Sequence, residues 1–363
     1  MNPPSTYPQN STTAKYPFPQ GHTSTYCAFP NYNTDKVQKA YTNWKTKFFV
    51  GGKVIRPENN GDTVSEGIAY GMLIGVYMND QPMFDTLWKF AQSSSKDSNG
   101  FMNWNLSGNG GGATDADEDM AYALLQAGVQ WGGTYNADAV KLIDLIFKHE
   151  VESGGVLKPG DNFGGSSLTN PSYLAPSYYR AFAKANPGNN WMAVVDKSYT
   201  ILAGATGANG LVPNWTNAQG QGVESQSDSN GKYYGYDACR TPFRIALDYC
   251  QNGEPRAKAY IDKLVPFMNT AGGALLAGLK DGYTTTGTNP PGDLGDNGAG
   301  LTFIGPVGVA AMGGYATVAS GVNFTLNNVT NDAASAGFNY FNGSWGVLSL
   351  LALSGNFWNM APQ

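Results

Sequence analysis

Four carboxylates occupy five consecutive positions in the segment ATDADED (113–119), which lies between a glycine-rich stretch and an apolar run at 120–128. Such a concentration of acids is typical of metal ligation, phosphate handling or glycoside cleavage. The chain has only two histidines, His22 and His149, which are isolated in the sequence, so a Ser-His-Asp or Cys-His site is not expected. The alternative is that the acids only cap and charge a helix.

Within this cluster, Asp115 suits the N-cap of a helix and Glu118 its third position, which leaves Asp117 and Asp119 as first-turn anions that the helix dipole favours. A structural role is the preferred interpretation for Glu118 and Asp119. The segment lacks calcium-loop spacing, and neighbouring side chains diverge by about 100° around a helix. We therefore expect no metal site.

Two other acids have spacings of interest. Glu66 follows Thr63 by three residues in TVSEG (63–67), which is also a capping-box spacing, although the small residues after it leave room beside the carboxylate. Asp237 lies in YYGYDACRTPFR (233–244), on a loop before a helix that the Thr-Pro pair would begin. Its structural alternative is a surface pair with Arg240.

Glycosidic hydrolysis requires one protonated carboxylic acid and one ionised carboxylate, and Glu66 and Asp237 could serve. Asp115 close to Glu66 would raise the pKa of the glutamate by like-charge repulsion. This arrangement requires the beginnings of three helices to meet. The long polar loop 158–173, which ends at Tyr173, is of the kind in which ligand contacts concentrate.

Composition favours a neutral, hydroxyl-rich ligand. Of 363 residues, 41% are hydrophobic and 13% aromatic, enough for a large core, whereas charged residues make up 13% and the net charge is −5. Without a basic cluster, nucleic acid is not an expected partner. Aromatic rings among Gly, Asn, Ser and Thr are typical of sugar-binding surfaces, although most individual rings belong to the core. No apolar stretch is long enough for a membrane span.

The cysteines, Cys27, Cys239 and Cys250, are odd in number and form no CxxC motif, which argues against a disulfide framework and a structural zinc site. If Cys239 and Cys250 lie on one helix, about 16 Å separates them, too far for a bond. We therefore expect cysteines with a purely structural role.

The sequence pattern predicts an extended lead-in at 1–33 and a single all-α domain at 34–363. Segments that are apolar all round, such as 68–76 and 305–314, belong inside, and amphipathic ones, such as 140–151 and 255–268, outside. Inner and outer helices alternating around an axis form a toroid of six hairpins, with long loops gathered into a cleft at one end. The candidate helices are 34–49, 64–79, 82–95, 118–131, 136–152, 172–185, 190–204, 242–251, 255–270, 304–320, 330–337 and 343–354.

From about Lys36 to Phe357 the chain resembles glycoside hydrolase family 8, most closely its clostridial-type endo-β-1,4-glucanases. The resemblance rests on several ordered motifs: TVSEG (63–67), ATDADED (113–119), LKPGD (157–161), GGSS (164–167), TNPSY (169–173), YDA (236–238) with Arg240, FIGPV (303–307) and SGNF (354–357).

This resemblance implies an (α/α)6 barrel and an inverting mechanism without a cofactor. It makes Glu66 the general acid and Asp237 the base that activates water, while Asp115 would hold a distorted sugar beside the scissile bond. The same carry-over places substrate contacts at Trp104, Phe163, Tyr173, Tyr236 and Arg240.

Departures from the glucanase pattern bear on the substrate. Phe163 stands where the glucanases have Trp, the segment 284–300 differs, and YFNGSW (340–345) resembles the family's xylanases. We expect an endo-β-1,4-glucanase acting on cellulose or mixed-linkage β-glucan, with an endo-β-1,4-xylanase as the alternative. A chitosanase is disfavoured because relatives specialised for chitosan lack the Asp237-type base. A non-catalytic carbohydrate-binding toroid would not need the three carboxylates.

The expected partner is a β-1,4-linked polysaccharide or oligosaccharide, and we expect a monomer. The first residues show no basic region followed by an apolar core, so no signal peptide is recognisable. Because polysaccharide hydrolases are normally exported, we expect a secreted protein whose sequence here begins after a cleavage site.

Overall fold

The computed structural model describes residues 13–106, 110–226, 228–290 and 292–361. In these residues twelve α-helices follow one another, with one two-stranded antiparallel ribbon, β1 (Phe49–Val50) and β2 (Lys53–Val54). The helices are α1 (Thr34–Phe48), α2 (Ser65–Tyr77), α3 (Gln81–Ser93), α4 (Thr114–Trp131), α5 (Tyr135–Glu150), α6 (Pro176–Ala185), α7 (Trp191–Ala205), α8 (Thr241–Asn252), α9 (Pro255–Gly272), α10 (Leu301–Ala311), α11 (Ala316–Thr330) and α12 (Tyr340–Leu353).

The even-numbered helices form an inner ring in which each contacts the next, and α12 closes the ring against α2. Nearly every side chain of α2, α4, α10 and α12 is buried. The odd-numbered helices form the outer layer, each packed on the preceding inner helix, with α1 against α12. These two rings confirm the predicted (α/α)6 barrel. The inner helices are apolar on all sides, so they need neighbours on both faces.

The two ends of the barrel differ in their connections. Chain segments leading from an outer helix to the next inner helix are long: 49–64, 94–113, 151–175, 206–240, 273–300 and 331–339. Segments leading from an inner helix to the next outer helix are short: 78–80, 132–134, 186–190, 253–254 and 312–315. All six inner helices run in the same direction, so the long segments gather at the end where the inner helices begin.

Two predicted helices were wrong. The apolar stretch predicted as one helix at 304–320 is divided between α10 and α11 by a turn in which Gly314 has φ 129°, a backbone conformation that favours glycine. Residues predicted as a helix at 330–337 form turns after α11 ends. There the Asp332 carboxylate accepts a hydrogen bond from the Ala334 N–H, a local side-chain bond that competes with the helix.

The part of the lead-in at 13–33 contains no helix and lies against the barrel end opposite the long segments. Its backbone N–H groups donate hydrogen bonds to the carbonyl oxygens of Gln130, Met312 and Gly355, with N···O distances of 2.9–3.0 Å. Cys27 forms a disulfide bond with Cys250, near the end of α8. The sequence analysis argued against a disulfide framework and considered only a bond between Cys239 and Cys250, so it did not predict this pair, which depends on tertiary proximity. Cys239 is free and buried.

No helix of the described residues combines the length and the apolar character needed to cross a bilayer.

Candidate functional site

The predicted acids meet where three inner helices begin. Glu66 is the second residue of α2, Asp115 is the second residue of α4, and Asp237 lies in the turn that leads into α8. Arg240 connects all three: Nη1 donates to Asp115 Oδ2 at 2.6 Å and to Glu66 Oε2 at 3.2 Å, and Nη2 donates to Asp237 Oδ1 at 2.8 Å. The structure thus brings together the residues that the sequence proposed from separate motifs.

These charged groups differ in access to solvent. The Asp115 and Arg240 side chains are only 4% and 3% exposed, whereas Glu66 and Asp237 are 24% and 28% exposed. Because Glu66 and Asp237 contact two nitrogens of one planar guanidinium, their nearest oxygens lie at most roughly 8 Å apart, a limit that accommodates the about 6.5–9.5 Å spacing of inverting glycosidases. A reactant can therefore reach Glu66 and Asp237. The buried Arg240 guanidinium, which Asp115 holds in place, fixes the positions of both.

Glu66 lies in surroundings that favour its protonated form. Burial raises its pKa to about 7, and the negative charge of Asp115 adds to this effect, as the sequence argument predicted. Arg240 and the hydroxyls of Tyr340 and Tyr70 act in the opposite direction. The Tyr340 hydroxyl, on the first residue of α12, donates to Glu66 Oε1 at 2.9 Å. Burial therefore outweighs like-charge repulsion as the main cause.

Asp237 has a different balance of interactions. Burial raises its pKa, while the adjacent Arg240 guanidinium and the Asn170 amide favour the ionised form. The guanidinium also lies over the Tyr173 ring, 5.2 Å from its centroid. Tyr173 belongs to the turn before α6, so the segment that leads into this inner helix also contributes to the site.

The predicted aromatic contacts lie on the long segments around the carboxylates. Trp104, Phe163 and Tyr236 are all exposed. Phe163 meets the edge of Trp215, with ring centroids 6.0 Å apart, and the Tyr236 hydroxyl donates to Asp281 Oδ2 at 3.1 Å. Fixed rings with exposed faces are suited to stacking on sugars.

The helix-capping interpretations were wrong at both acidic motifs. The N-cap of α2 is Val64 and that of α4 is Ala113, and neither helix has a side-chain cap. Since α4 already begins at Thr114, Asp115 lies inside the helix and faces the site rather than capping it. The positive ends of the helix dipoles of α2 and α4 lie beside these carboxylates, and the Ala116 N–H donates to Asp115 Oδ1 at 2.9 Å.

The other three acids of the cluster are buried, so they do not form a solvated helix end. Glu118 and Asp119 pair with Arg244: Nη1 lies 3.0 Å from Glu118 Oε1 and 2.9 Å from Asp119 Oδ1. Tyr179 donates its hydroxyl to Glu118 Oε2 at 2.8 Å. Asp117 instead approaches Glu150 at the end of α5.

The sequence did not identify three residues of the site region. Tyr340 and Tyr70 contact Glu66, and Arg244 binds the buried acids next to Asp115. A signal for Arg244 was present, because Asp115 and Asp119 are four residues apart, as are Arg240 and Arg244, and residues at that spacing share one helix face. Arg240, directly before α8, and Arg244, within α8, form successive ionic contacts with Asp115 and Asp119 of α4.

Within the residues that the structure describes, no group of three or more His, Cys, Asp or Glu side chains is arranged to hold a metal ion. At the centre of the carboxylates lies the guanidinium of Arg240.

Comparisons with known proteins agree with this geometry. The model of glycosyl hydrolases family 8 matches residues 22–355. Endoglucanase A from Acetivibrio thermocellus is 37% identical over 353 residues, which cover 90% of this chain and 70% of that protein. The structure of a β-1,3-1,4-glucanase from Paenibacillus sp. X4 matches with a TM-score of 0.84 and 30% identity, covering 95% of this chain and 99% of that one.

A xylanase of Teredinibacter turnerae in complex with xylohexaose, at 21% identity and a TM-score of 0.78, has the same fold over 92% of this chain and 96% of its own. From the family match, the relative at 37% identity and the shared barrel, we conclude that this chain belongs to family 8 of the glycosyl hydrolases.

Proposed function

We propose that this chain is an endo-β-1,4-glucanase that hydrolyses internal bonds of cellulose or mixed-linkage β-glucan with inversion at the anomeric carbon. The observation that carries the proposal is the pair of accessible carboxyl groups, Glu66 and Asp237, held by one buried guanidinium. The endoglucanase and β-1,3-1,4-glucanase relatives support the choice of a glucan.

In the proposed reaction, Glu66 is the general acid. With a pKa of about 7 it is substantially protonated at neutral pH and can donate its proton to the leaving glycosidic oxygen as the bond from that oxygen to the anomeric carbon breaks. The resulting carboxylate is stabilised by contacts already in place, from Arg240 Nη1 and the Tyr340 hydroxyl. No reorganisation is needed as the charge develops.

Asp237 is the proposed base. Its carboxylate accepts a proton from a water molecule whose oxygen forms a bond to the anomeric carbon on the face opposite the leaving group. Arg240 keeps the Asp237 carboxylate in position through Nη2. A proton transfer from Asp237 back to Glu66 through solvent then restores both groups.

Asp115 and the aromatic residues are proposed to position the substrate. Asp115 is fixed by Arg240 and would accept a hydrogen bond from a sugar hydroxyl beside the scissile bond. Trp104, Phe163 and Tyr236 are exposed on separate long segments, which suits a chain that extends past the acids in both directions. Such an open cleft is suited to cleavage at internal bonds.

An endo-β-1,4-xylanase is the second candidate, because Phe163 offers a smaller platform than Trp and the segment YFNGSW (340–345) supplies the Glu66 contact Tyr340. Cellulose and xylan share β-1,4 links, so the distinction depends on accommodation of the glucose hydroxymethyl group. Initial rates of reducing-sugar release from carboxymethylcellulose, mixed-linkage β-glucan and xylan decide between the candidates.

The catalytic assignment is tested by Glu66→Gln and Asp237→Asn. Each should lower the rate on the preferred glucan by about 10²–10⁴-fold, because each removes one proton transfer. Glu224→Gln, on an exposed acid paired with Lys232, is the matched control and should keep full activity. Substantial activity of Glu66→Gln would refute the acid assignment.

Proton NMR of the first product tests inversion separately. The α-anomer should appear first. Early appearance of the β-anomer would make Asp237 a nucleophile or a misassigned residue.

We also propose that the protein is exported and monomeric. The Cys27–Cys250 disulfide supports export, since such bonds persist in oxidising compartments. The exposed large apolar side chains are distributed over several elements, which supports a monomer. Light scattering of the purified chain would measure its oligomeric state.

A further inference from the structure

A second aromatic pocket lies on the outer wall of the barrel, between α3 and the turn that joins α4 to α5. Three rings line it, those of Trp88, Trp131 and Tyr135. None of the three takes part in the site described above. The three rings are half-buried, so part of each ring remains accessible to solvent.

The rings are held in position by hydrogen bonds at their polar atoms. Trp88 Nε1 donates to Asp138 Oδ2 at 3.2 Å, and the Tyr135 hydroxyl donates to the Asp85 carboxylate while it accepts from Gln81 Nε2 at 3.0 Å. Side chains already fixed in this way lose little conformational entropy when a ligand binds.

Packing adds to this rigidity. Phe84 lies edge-on to both Trp131 and Tyr135, with centroids 5.3 and 5.5 Å away. Trp131 Nε1 donates to Asn79 Oδ1 at 3.0 Å.

The pocket also presents unused polar groups. The exposed side chains of Lys89 and Gln92 line it and have no hydrogen bond or ion pair to any other described residue. Asp85 is exposed beside them and uses only one carboxylate oxygen to bind Tyr135. Donors and acceptors therefore line the same pocket as the aromatic rings, a combination that suits hydroxyl groups on an apolar frame.

Besides Lys89, the lining residues of α3 are at positions 81, 85, 88 and 92, which share one helix face and extend over about 16 Å. This length and the mixed charge favour an extended neutral ligand over a compact anion. We propose that this pocket is a secondary binding site for a segment of the β-linked polysaccharide that the enzyme cleaves. This inference rests on the proposed function.

The pocket is far from the catalytic carboxylates. Asp115 lies at the first turn of α4 and Trp131 at its last residue, so about 24 Å of helix separates them. A sugar chain bound at the pocket would keep the enzyme on its polymer without occupying the cleft.

Retention of Glu66→Gln protein on insoluble cellulose and in gels containing mixed-linkage β-glucan tests the proposal. Adding Trp88→Ala should weaken polymer retention by about ten-fold, as expected for loss of one stacking ring. Phe324→Ala, which removes an exposed ring on α11 outside the pocket, is the matched control and should change nothing. Lys89→Ala with Gln92→Ala keeps every ring and should give a smaller loss.

Equal retention of Trp88→Ala and Phe324→Ala, both with unchanged thermal unfolding, would overturn the inference. Trp104→Ala in the cleft provides the comparison: if it alone abolishes retention, the cleft is the sole binding site. Failure of the proposed function has a different signature, since the unaltered chain would then cleave no β-glucan. In that case a loss of retention on xylan gels caused by Trp88→Ala would identify the ligand of the pocket as xylan.

Discussion

Arg240 determines how the three carboxylates of the site act together. A single planar group contacts Asp115 and Glu66 through Nη1 and Asp237 through Nη2. Coulombic attraction to Arg240 favours the ionised form of Glu66, whereas Asp115 favours the protonated form. The pKa of Glu66 is therefore adjustable in either direction by neighbouring substitutions.

Two substitutions should move the pKa of Glu66 in opposite directions. Asp115→Asn removes a negative charge that raises this pKa, so the alkaline limb of the kcat/KM profile should shift to lower pH. Tyr340→Phe removes a donor that favours the carboxylate, so that limb should shift to higher pH.

The measurement is kcat/KM on a soluble glucan between pH 4 and pH 9. Both variants will also lower the maximal rate, so the position of the limb and not its height is the diagnostic quantity. A shift of both variants in the same direction would contradict this electrostatic assignment of Glu66.

At the scale of elements, a buried pair of acids lies between α4 and α5. Glu150 at the end of α5 and Asp117 in the first turn of α4 are both buried. Burial and the charge of Asp117 raise the pKa of Glu150 well above its ordinary value, and Asp161 acts in the same direction. Lys96 is the nearby cation that favours ionisation of Asp117. Burial and the neighbouring acids therefore favour the protonated form of Glu150 in the folded protein.

This pair should make stability depend on pH. Since the folded-state pKa of Glu150 is raised, the folded state binds a proton that the unfolded state has released above about pH 4.3, and the free energy of unfolding falls as pH increases. The slope from one such group is about 1.4 kcal/mol per pH unit. Glu150→Gln keeps a donor for Asp117 and should flatten this slope.

Urea unfolding of both proteins at intervals from pH 5 to pH 8 measures the slopes. Glu152→Gln, two residues away and not buried, is the control and should behave like the parent. Parallel pH dependence of Glu150→Gln and the parent would show that Glu150 does not carry the proton.

The sequence predicted some elements better than others, for physical reasons. The inner helix α2 was predictable because IAYGMLIGV (68–76) is apolar on all sides. The buried acids at the start of α4 were not, because their partner Arg244 is more than a hundred residues away. The break between α10 and α11 was missed because an uninterrupted apolar pattern obscured the Gly-Gly turn.

For the whole molecule, the Cys27–Cys250 disulfide joins the lead-in to α8 across 223 residues. Closing so long a loop restricts the unfolded chain and contributes up to about 5 kcal/mol in the chain-entropy account. The double substitution Cys27→Ser and Cys250→Ser should therefore lower the melting temperature. A reductant should destabilise the parent and leave the double variant unchanged. Equal sensitivity of both proteins to the reductant would contradict this prediction.

The barrel itself and the location of its cleft followed from the order of helices and long polar loops. The pairing of Cys27 with Cys250 could not be predicted from the sequence, because the segment around Cys27 has no periodic pattern that indicates where it lies. The candidate acid, base and orienting residue were identified in the sequence, and the structure brings them together. Tyr340 reaches the site only through closure of the ring by α12, a contact that no local pattern encodes.

Because the six inner helices run in the same direction, the two ends of the barrel have different roles. The short turns 78–80, 132–134 and 253–254 fix the order and closure of the hairpins, whereas the long segments contribute rings and polar groups to the cleft. A change of length or sequence in 273–300, which contains neither the three carboxylates nor Arg240, leaves the contacts between inner helices intact. This fold can therefore acquire new sugar preferences by exchanging segments at one end, and engineering of specificity can proceed there while the scaffold is kept.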